Sequence, residues 1–97
     1  MKAADMLREL EGVAQTKDIT VTYETLTGDS GAGGLCRIKG HWRVLVDKRA
    51  TDGDKAQVLA QALARFDLED VFMADQARAL VEKWRKPVTD RLANPAP

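Results

Sequence analysis

The sequence predicts an α+β domain in which a small antiparallel sheet of about three strands lies between an N-terminal helix and a C-terminal helix. Apolar residues have helical spacing near both ends of the chain and alternate with polar residues in the middle. Between Gly33 and Phe66, a strand, a tight turn, a second strand, a short loop and a helix follow one another. We therefore expect this second of three helices to pack on the sheet as the central element of the fold.

Length and composition favour one globular domain. The chain has 97 residues, of which 44% are hydrophobic and 31% are charged, so it can bury one modest core. We expect residues 1–87 to form that domain. Residues 88–97, which include Asn94-Pro95-Ala96-Pro97, are expected to fray as a C-terminal tail.

Charge and cysteine content restrict the function classes. Fifteen basic residues balance fifteen acidic ones, which argues against a general polyanion binder and leaves self-association open. The single cysteine fits a reducing compartment. The charged N-terminus is unlike a signal peptide, and no run approaches the roughly 18 apolar residues of a membrane span. We predict a cytoplasmic protein without membrane contact.

The first half of the chain predicts a helix and a strand. Residues 3–15 have an apolar stripe at helical spacing, and Gly12 is expected to end the helix by weakening its last turn. Residues 19–26 alternate as a half-buried strand. The glycine-rich segment 28–34 leads into a strand and not into a helix, so we interpret it as a flexible connection and not as a phosphate cradle. Contact with a ligand by this segment is the alternative.

A hairpin is predicted from strands 35–39 and 42–47, which flank Lys39-Gly40-His41. Val44 and Val46 then share one face of the second strand, and Arg43 and Leu45 share the other. Trp42 is expected to close the core with its edge in water.

The second half predicts two helices. Thr51 is a natural N-cap for a helix that runs to about Arg65 with a broad apolar stripe. A short segment at 71–73 is expected to tuck under the domain. Asp75 is then predicted to cap a last helix, which Pro87 ends.

No catalytic, cofactor or metal site can be assigned from these residues. Nucleophilic catalysis by Cys36 needs a base, and His41, the only histidine, lies at the far end of the hairpin from it. We predict that Cys36 is a small buried hydrophobic residue opposite Arg43 and that His41 is a solvated turn residue. One cysteine and one histidine cannot supply the usual ligands of a zinc site.

Two stretches of the sequence resemble known proteins. The strand, charged loop and helix with Leu59-Ala60-Gln61-Ala62-Leu63-Ala64-Arg65 resemble the core of small HExxH zinc metallopeptidases. Gln61 and Arg65 stand at the metal-binding histidine positions and Ala62 at that of the general-base glutamate, so the resemblance implies an inactive relative. The run Gly33 to Gly40 (GGLCRIKG) is similar to small bacterial proteins with a GGLCRxKG sequence, which implies no particular activity.

We predict a non-enzymatic module that binds another protein or itself as a homodimer, with Arg37, His41, Trp42 and Arg43 as contact residues. One alternative is nucleic-acid binding by helices 54–65 and 75–86, which we consider unlikely because acidic residues interrupt them. The other alternative is an enzyme that uses Cys36 or the aspartates at positions 47, 52 and 54.

Overall fold

The computed structural model describes residues 1–26 and 33–85. The helices and strands, in chain order, are α1 (Ala3–Thr16), β1 (Thr20–Glu24), β2 (Gly33–Ile38), β3 (His41–Asp47), α2 (Asp52–Leu63) and α3 (Asp75–Lys83). The predicted α+β class is confirmed. Most of the glycine-rich segment 28–34 and the whole predicted tail 88–97 lie outside the described residues, so the expectations about them stay predictions.

The sheet is mixed, which corrects the predicted antiparallel sheet. Its strand order is β1-β3-β2, with β2 antiparallel and β1 parallel to β3. The most apolar strand therefore takes the centre, where both of its edges are paired. The eight residues between Glu24 and Gly33 allow this order, since eight residues can span about 26 Å and strands two places apart are separated by only about 10 Å.

A tight turn fixes the register of the β2–β3 hairpin. Lys39 and Gly40 have φ angles of +52° and +80°, as in the two-residue turns that match the twist of paired strands. Ile38 consequently pairs with His41, and Cys36 pairs with Arg43 as predicted.

The core lies between the helices and one face of the sheet, which we call the helix face. Val44 and Val46 are fully buried there, and Val21, Tyr23 and Leu35 of the outer strands pack beside them. The register places all five residues on the same side of the sheet. The predicted division of β3 into an inward valine face and an outward face with Arg43 and Leu45 is confirmed. The buried helix residues of this core include Leu10, Val13, Ala56, Leu59, Leu63, Ala77 and Val81.

Helix boundaries follow caps and tertiary packing. The predicted end at Gly12 was wrong: α1 continues to Thr16, because Val13 and Ala14 bury apolar surface in the core. Thr51 is the N-cap of α2, and its Oγ1 accepts a hydrogen bond from the Asp54 backbone N–H at 3.1 Å. The helix itself ends at Leu63, two residues earlier than expected.

The connection between α2 and α3 is held by side-chain contacts to its backbone. Val71 and Met73 are buried as predicted, but Phe72 is 97% exposed, since neighbouring side chains of an extended segment point in opposite directions. Asp75 is not the cap of α3: Ala74 takes that position, and its N–H donates to a Glu9 carboxylate oxygen at 2.7 Å.

Candidate functional site

The four residues predicted to contact a partner lie on two different faces of the sheet. Trp42 and Arg37 are opposite each other on the helix face, where the Arg37 guanidinium lies 5.3 Å from the centre of the Trp42 ring. His41 and Arg43 lie on the other face, as do the β2 residues that pair with them. The structure therefore does not bring the four residues together as one patch.

Trp42 mainly closes the core. Its ring packs edge-on against Phe66, with the ring centres 5.5 Å apart and the planes at 84°. The indole Nε1 is buried without a hydrogen-bond partner among the described residues. The prediction that the polar edge of Trp42 lies in water is therefore wrong. A partner would therefore meet Arg37 before it met the face of Trp42.

The sheet face opposite the core forms a second surface, here called the open face. Among the described residues, every sheet residue that packs on the hydrophobic core belongs to the helix face. The described helices therefore form no core with the open face. Its apolar part is formed by Cys36 and Leu45, which are half-exposed, and Ile38, which is 46% exposed. The remaining residues of the open face are Thr20, Thr22, Glu24, Gly34, His41, Arg43 and Asp47.

The acidic and basic side chains of the open face lie toward opposite ends of the strands. Glu24 and Asp47 pair at one end, while His41 and Arg43 lie toward the other. Arg43 Nη1 donates to Thr22 Oγ1 at 2.8 Å, which orients the guanidinium across the face. The hydrogen bonds from Arg49 to the Asp47 carboxylate, followed by their charge attraction, lower the pKa of Asp47. This aspartate is therefore held ionised, and its charge is already compensated.

Strand β2 is an edge of the sheet. It is paired on one side by β3, and no other described strand pairs with its second side. An unpaired edge offers backbone N–H and C=O groups to an extended partner. The edge and the open face are continuous, because Cys36 and Ile38 belong to both.

Cys36 and His41 lie on the same side of the sheet but do not pair with each other across the hairpin. Cys36 pairs with Arg43 as predicted, whereas His41 pairs with Ile38, two residues along β2 from Cys36. Cys36 is half-exposed on the open face, so its predicted burial was wrong: alternation directs its side chain away from the helices. His41 is exposed beyond the turn, with Nε2 at 4.0 Å from Asp18 Oδ2.

A small cavity of about 180 Å³ lies between β2 and α2. It contains Gln61 and Arg65, the positions that correspond to metal-binding histidines in the metallopeptidase resemblance. The buried Nε of Arg65 has no hydrogen-bond partner among the described residues. The other lining residues are Gly33, Gly34, Leu35, Val58, Ala62 and Trp84, which include no acid and no histidine.

Two arginines in the C-terminal part of the described chain donate hydrogen bonds to backbone carbonyl oxygens within the domain. Arg78 donates to the carbonyl oxygen of Val71 at 2.6 Å, and Arg85 donates to that of Phe66 at 2.9 Å. Both arginines are half-buried. These guanidinium groups hold the α2–α3 connection in place and are only partly available to a phosphate backbone.

Comparison with protein-family models, curated proteins and solved structures finds no match for this chain. The resemblances to zinc metallopeptidases and to the GGLCRxKG proteins therefore stay predictions. Within residues 1–26 and 33–85, no three histidine, cysteine or acidic side chains are grouped closely enough to hold a metal ion. In the same part of the chain, none of the helices has the length and apolar character needed to cross a membrane.

Sequence reasoning missed the open face as a surface. The signal was present in the alternation, since the hairpin register that pairs Cys36 with Arg43 also places Ile38 and Leu45 on the same side of the sheet. The positions of the valines indicate which side of the sheet the helices cover. They do not indicate that the described helices leave the opposite side uncovered.

Proposed function

We propose that this chain is a non-enzymatic protein-interaction module of the cytoplasm and that its contact surface is the open face together with the β2 edge. The observation that supports this proposal most is the exposure of Cys36, Ile38 and Leu45 on a sheet face that the described helices leave uncovered. Of the contact residues predicted from the sequence, His41 and Arg43 belong to the open face.

The composition of this surface suits a protein partner. Protein interfaces combine an apolar centre with a polar rim, and they are enriched in arginine. On the open face, Leu45 and Cys36 lie centrally, with Arg43 and His41 toward one end and Glu24 toward the other. Charges of both signs on one patch favour a protein partner over a polyanion, which would be repelled by the acidic end.

The test uses two of the large apolar side chains that are exposed among the described residues. Ile38→Asp places a charge on the proposed surface, and Phe72→Asp places the same charge on an exposed apolar residue elsewhere. We expect complexes of the wild-type chain, with itself in sedimentation velocity or with proteins retained from native extract, to be lost with Ile38→Asp and kept with Phe72→Asp. Equal behaviour of the two variants would refute the open face as the contact surface.

A further inference from the structure

We infer that the partner is a second copy of this chain, and that the two β2 strands pair antiparallel about a two-fold axis at Cys36. This inference rests on the proposed function and specifies its partner and geometry. The two three-stranded sheets then join into one sheet of six strands, in the order β1-β3-β2-β2-β3-β1.

The first step concerns which backbone groups are free. A two-residue turn makes its flanking residues, Ile38 and His41, a hydrogen-bonded pair, so Cys36 and Arg43 form the next such pair along the hairpin. The N–H and C=O groups of Leu35 and Arg37 therefore point away from β3. Among the described residues, no backbone group outside the sheet bonds to them. They are available to a strand from another molecule.

The second step fixes the register. Gly33 has a φ angle of +138° and departs from regular strand geometry, which leaves Gly34 to Ile38 as the regular part of β2. Cys36 is the midpoint of that five-residue run. When two copies pair antiparallel over all five of these residues, Leu35 lies opposite Arg37 of the partner subunit. Each of the two resulting pairs exchanges two hydrogen bonds, about four in all.

The third step is a fit of size. In this register Ile38 of the partner subunit lies opposite Gly34, where even an added Cβ would meet no atom within 4 Å. Gly34 pairs with Leu45 across the hairpin, so the incoming isoleucine also reaches Leu45 on the open face. The large and small ends of β2 thus complement each other when the strand is reversed. This accounts for the exposure of both Ile38 and Leu45.

Self-complementarity favours a second copy over an unrelated strand. A two-fold axis brings the glycine end of one β2 against the isoleucine end of the other, which a partner with a different sequence would match only by chance. The chain has no net charge, so two copies do not repel each other at long range. Pairing also removes an exposed strand edge, which natural proteins seldom leave bare.

Two variants of one residue test the edge directly. Arg37→Pro removes the outward N–H but leaves the hydrogen bonds of the hairpin, since proline is tolerated on the free side of an edge strand. Arg37→Ala removes the same side chain and keeps the N–H, and is the matched control. We expect the dimer dissociation constant, measured by sedimentation equilibrium, to rise at least about tenfold more with Arg37→Pro than with Arg37→Ala.

Cross-linking tests the axis without altering the strand. Cys36 is the only cysteine, so any dimer linked by a short bismaleimide joins Cys36 to Cys36. We expect efficient cross-linking of the wild type at micromolar concentration and none of Cys36→Ser. If Arg37→Pro fails to fold, which circular dichroism would show, a wild-type dimer that does not cross-link still overturns the axis at Cys36.

The outcomes separate this inference from the proposed function. A dimer that Ile38→Asp abolishes but that resists Arg37→Pro and does not cross-link overturns edge pairing and keeps the open face as the interface. A strict monomer at high concentration also overturns the inference, while an Ile38-dependent complex with another protein keeps the proposed function. If Ile38→Asp abolishes neither the homodimer nor a complex with another protein, the inference and the proposed function are both overturned.

Discussion

The tyrosine of β1 shows how one partly buried polar contact ties a strand to a helix. Tyr23 lies half-buried on the helix face, and its hydroxyl donates a hydrogen bond to the Glu11 carboxylate of α1. The ammonium group of Lys55 lies 5.5 Å from the centre of its ring. Burial of the phenol, followed by the hydrogen bond and the negative charge of Glu11, raises the pKa of Tyr23 well above its ordinary value.

This contact predicts the alkaline behaviour of the protein. The unfolded chain releases the tyrosine proton near pH 10.0 and the folded chain only at higher pH, so the contribution of Tyr23 to the free energy of unfolding is constant below pH 10 and falls above it. Tyr23 is the only tyrosine, so the ultraviolet absorbance of tyrosinate reports it directly. We expect Glu11→Gln to move the pKa of Tyr23 down, though not to the ordinary value, because burial remains the largest cause.

The same titration contains its control. Asp5→Asn removes an exposed carboxylate of α1 that pairs with Arg8, and it should leave the absorbance curve unchanged. A wild-type Tyr23 that titrates at its ordinary pKa, or identical curves for wild type and Glu11→Gln, would contradict the role given to Glu11.

At the scale of elements, the start of β2 depends on a close approach between two backbones. Gly33 lies opposite Val46, and a Cβ built on it would lie 1.9 Å from the Leu45 carbonyl oxygen. Its φ of +138° is also a conformation that residues with side chains rarely adopt. Gly34, one residue later, has open space around its Cβ position.

The same substitution is therefore expected to be costly at Gly33 and nearly neutral at Gly34. Gly33→Ala should lower the free energy of unfolding by about 1–3 kcal/mol from backbone strain, with the clash adding to that loss. Gly34→Ala should change it by no more than about 0.5 kcal/mol. Urea unfolding followed by circular dichroism, at a dilution where the chain is monomeric, gives both values. Equal losses for the two variants would argue against the described entry into β2.

Elements with strong local signals could be predicted from the sequence. Thr51 marks the start of α2 because its side chain caps the helix by itself, and Lys39-Gly40 marks the hairpin because the turn needs positive φ angles. The end of α1 and the cap of α3 depend on tertiary contacts instead. Thr16 is reached because the preceding turn is buried, and Ala74 replaces Asp75 as cap because Glu9 of α1 bonds to its N–H.

At the scale of the whole molecule, the arrangement of strands and the exposed surfaces could not be predicted. Placement of β1 beside β3 depends on which strand buries most when paired on both sides, and no local pattern of residues encodes it. The exposure of Phe72 likewise follows from the direction of the 71–73 segment across the domain. The candidate surface was therefore predicted only in part, through His41 and Arg43.

The two phenylalanines of the chain test whether this domain unfolds around one core. Phe66 is 1% exposed against Trp42, and Phe72 is 97% exposed. We expect Phe66→Ala to cost about 3–5 kcal/mol, a large part of the roughly 5–15 kcal/mol typical of a small domain, and Phe72→Ala to cost at most about 0.5 kcal/mol. Phe66→Leu, which keeps most of the volume, provides a measurable value if Phe66→Ala does not fold.

Tryptophan fluorescence and circular dichroism should give one coincident urea transition for each folded variant, because the helices and the sheet share a single core. Separate transitions would show that the sheet and the helices unfold independently.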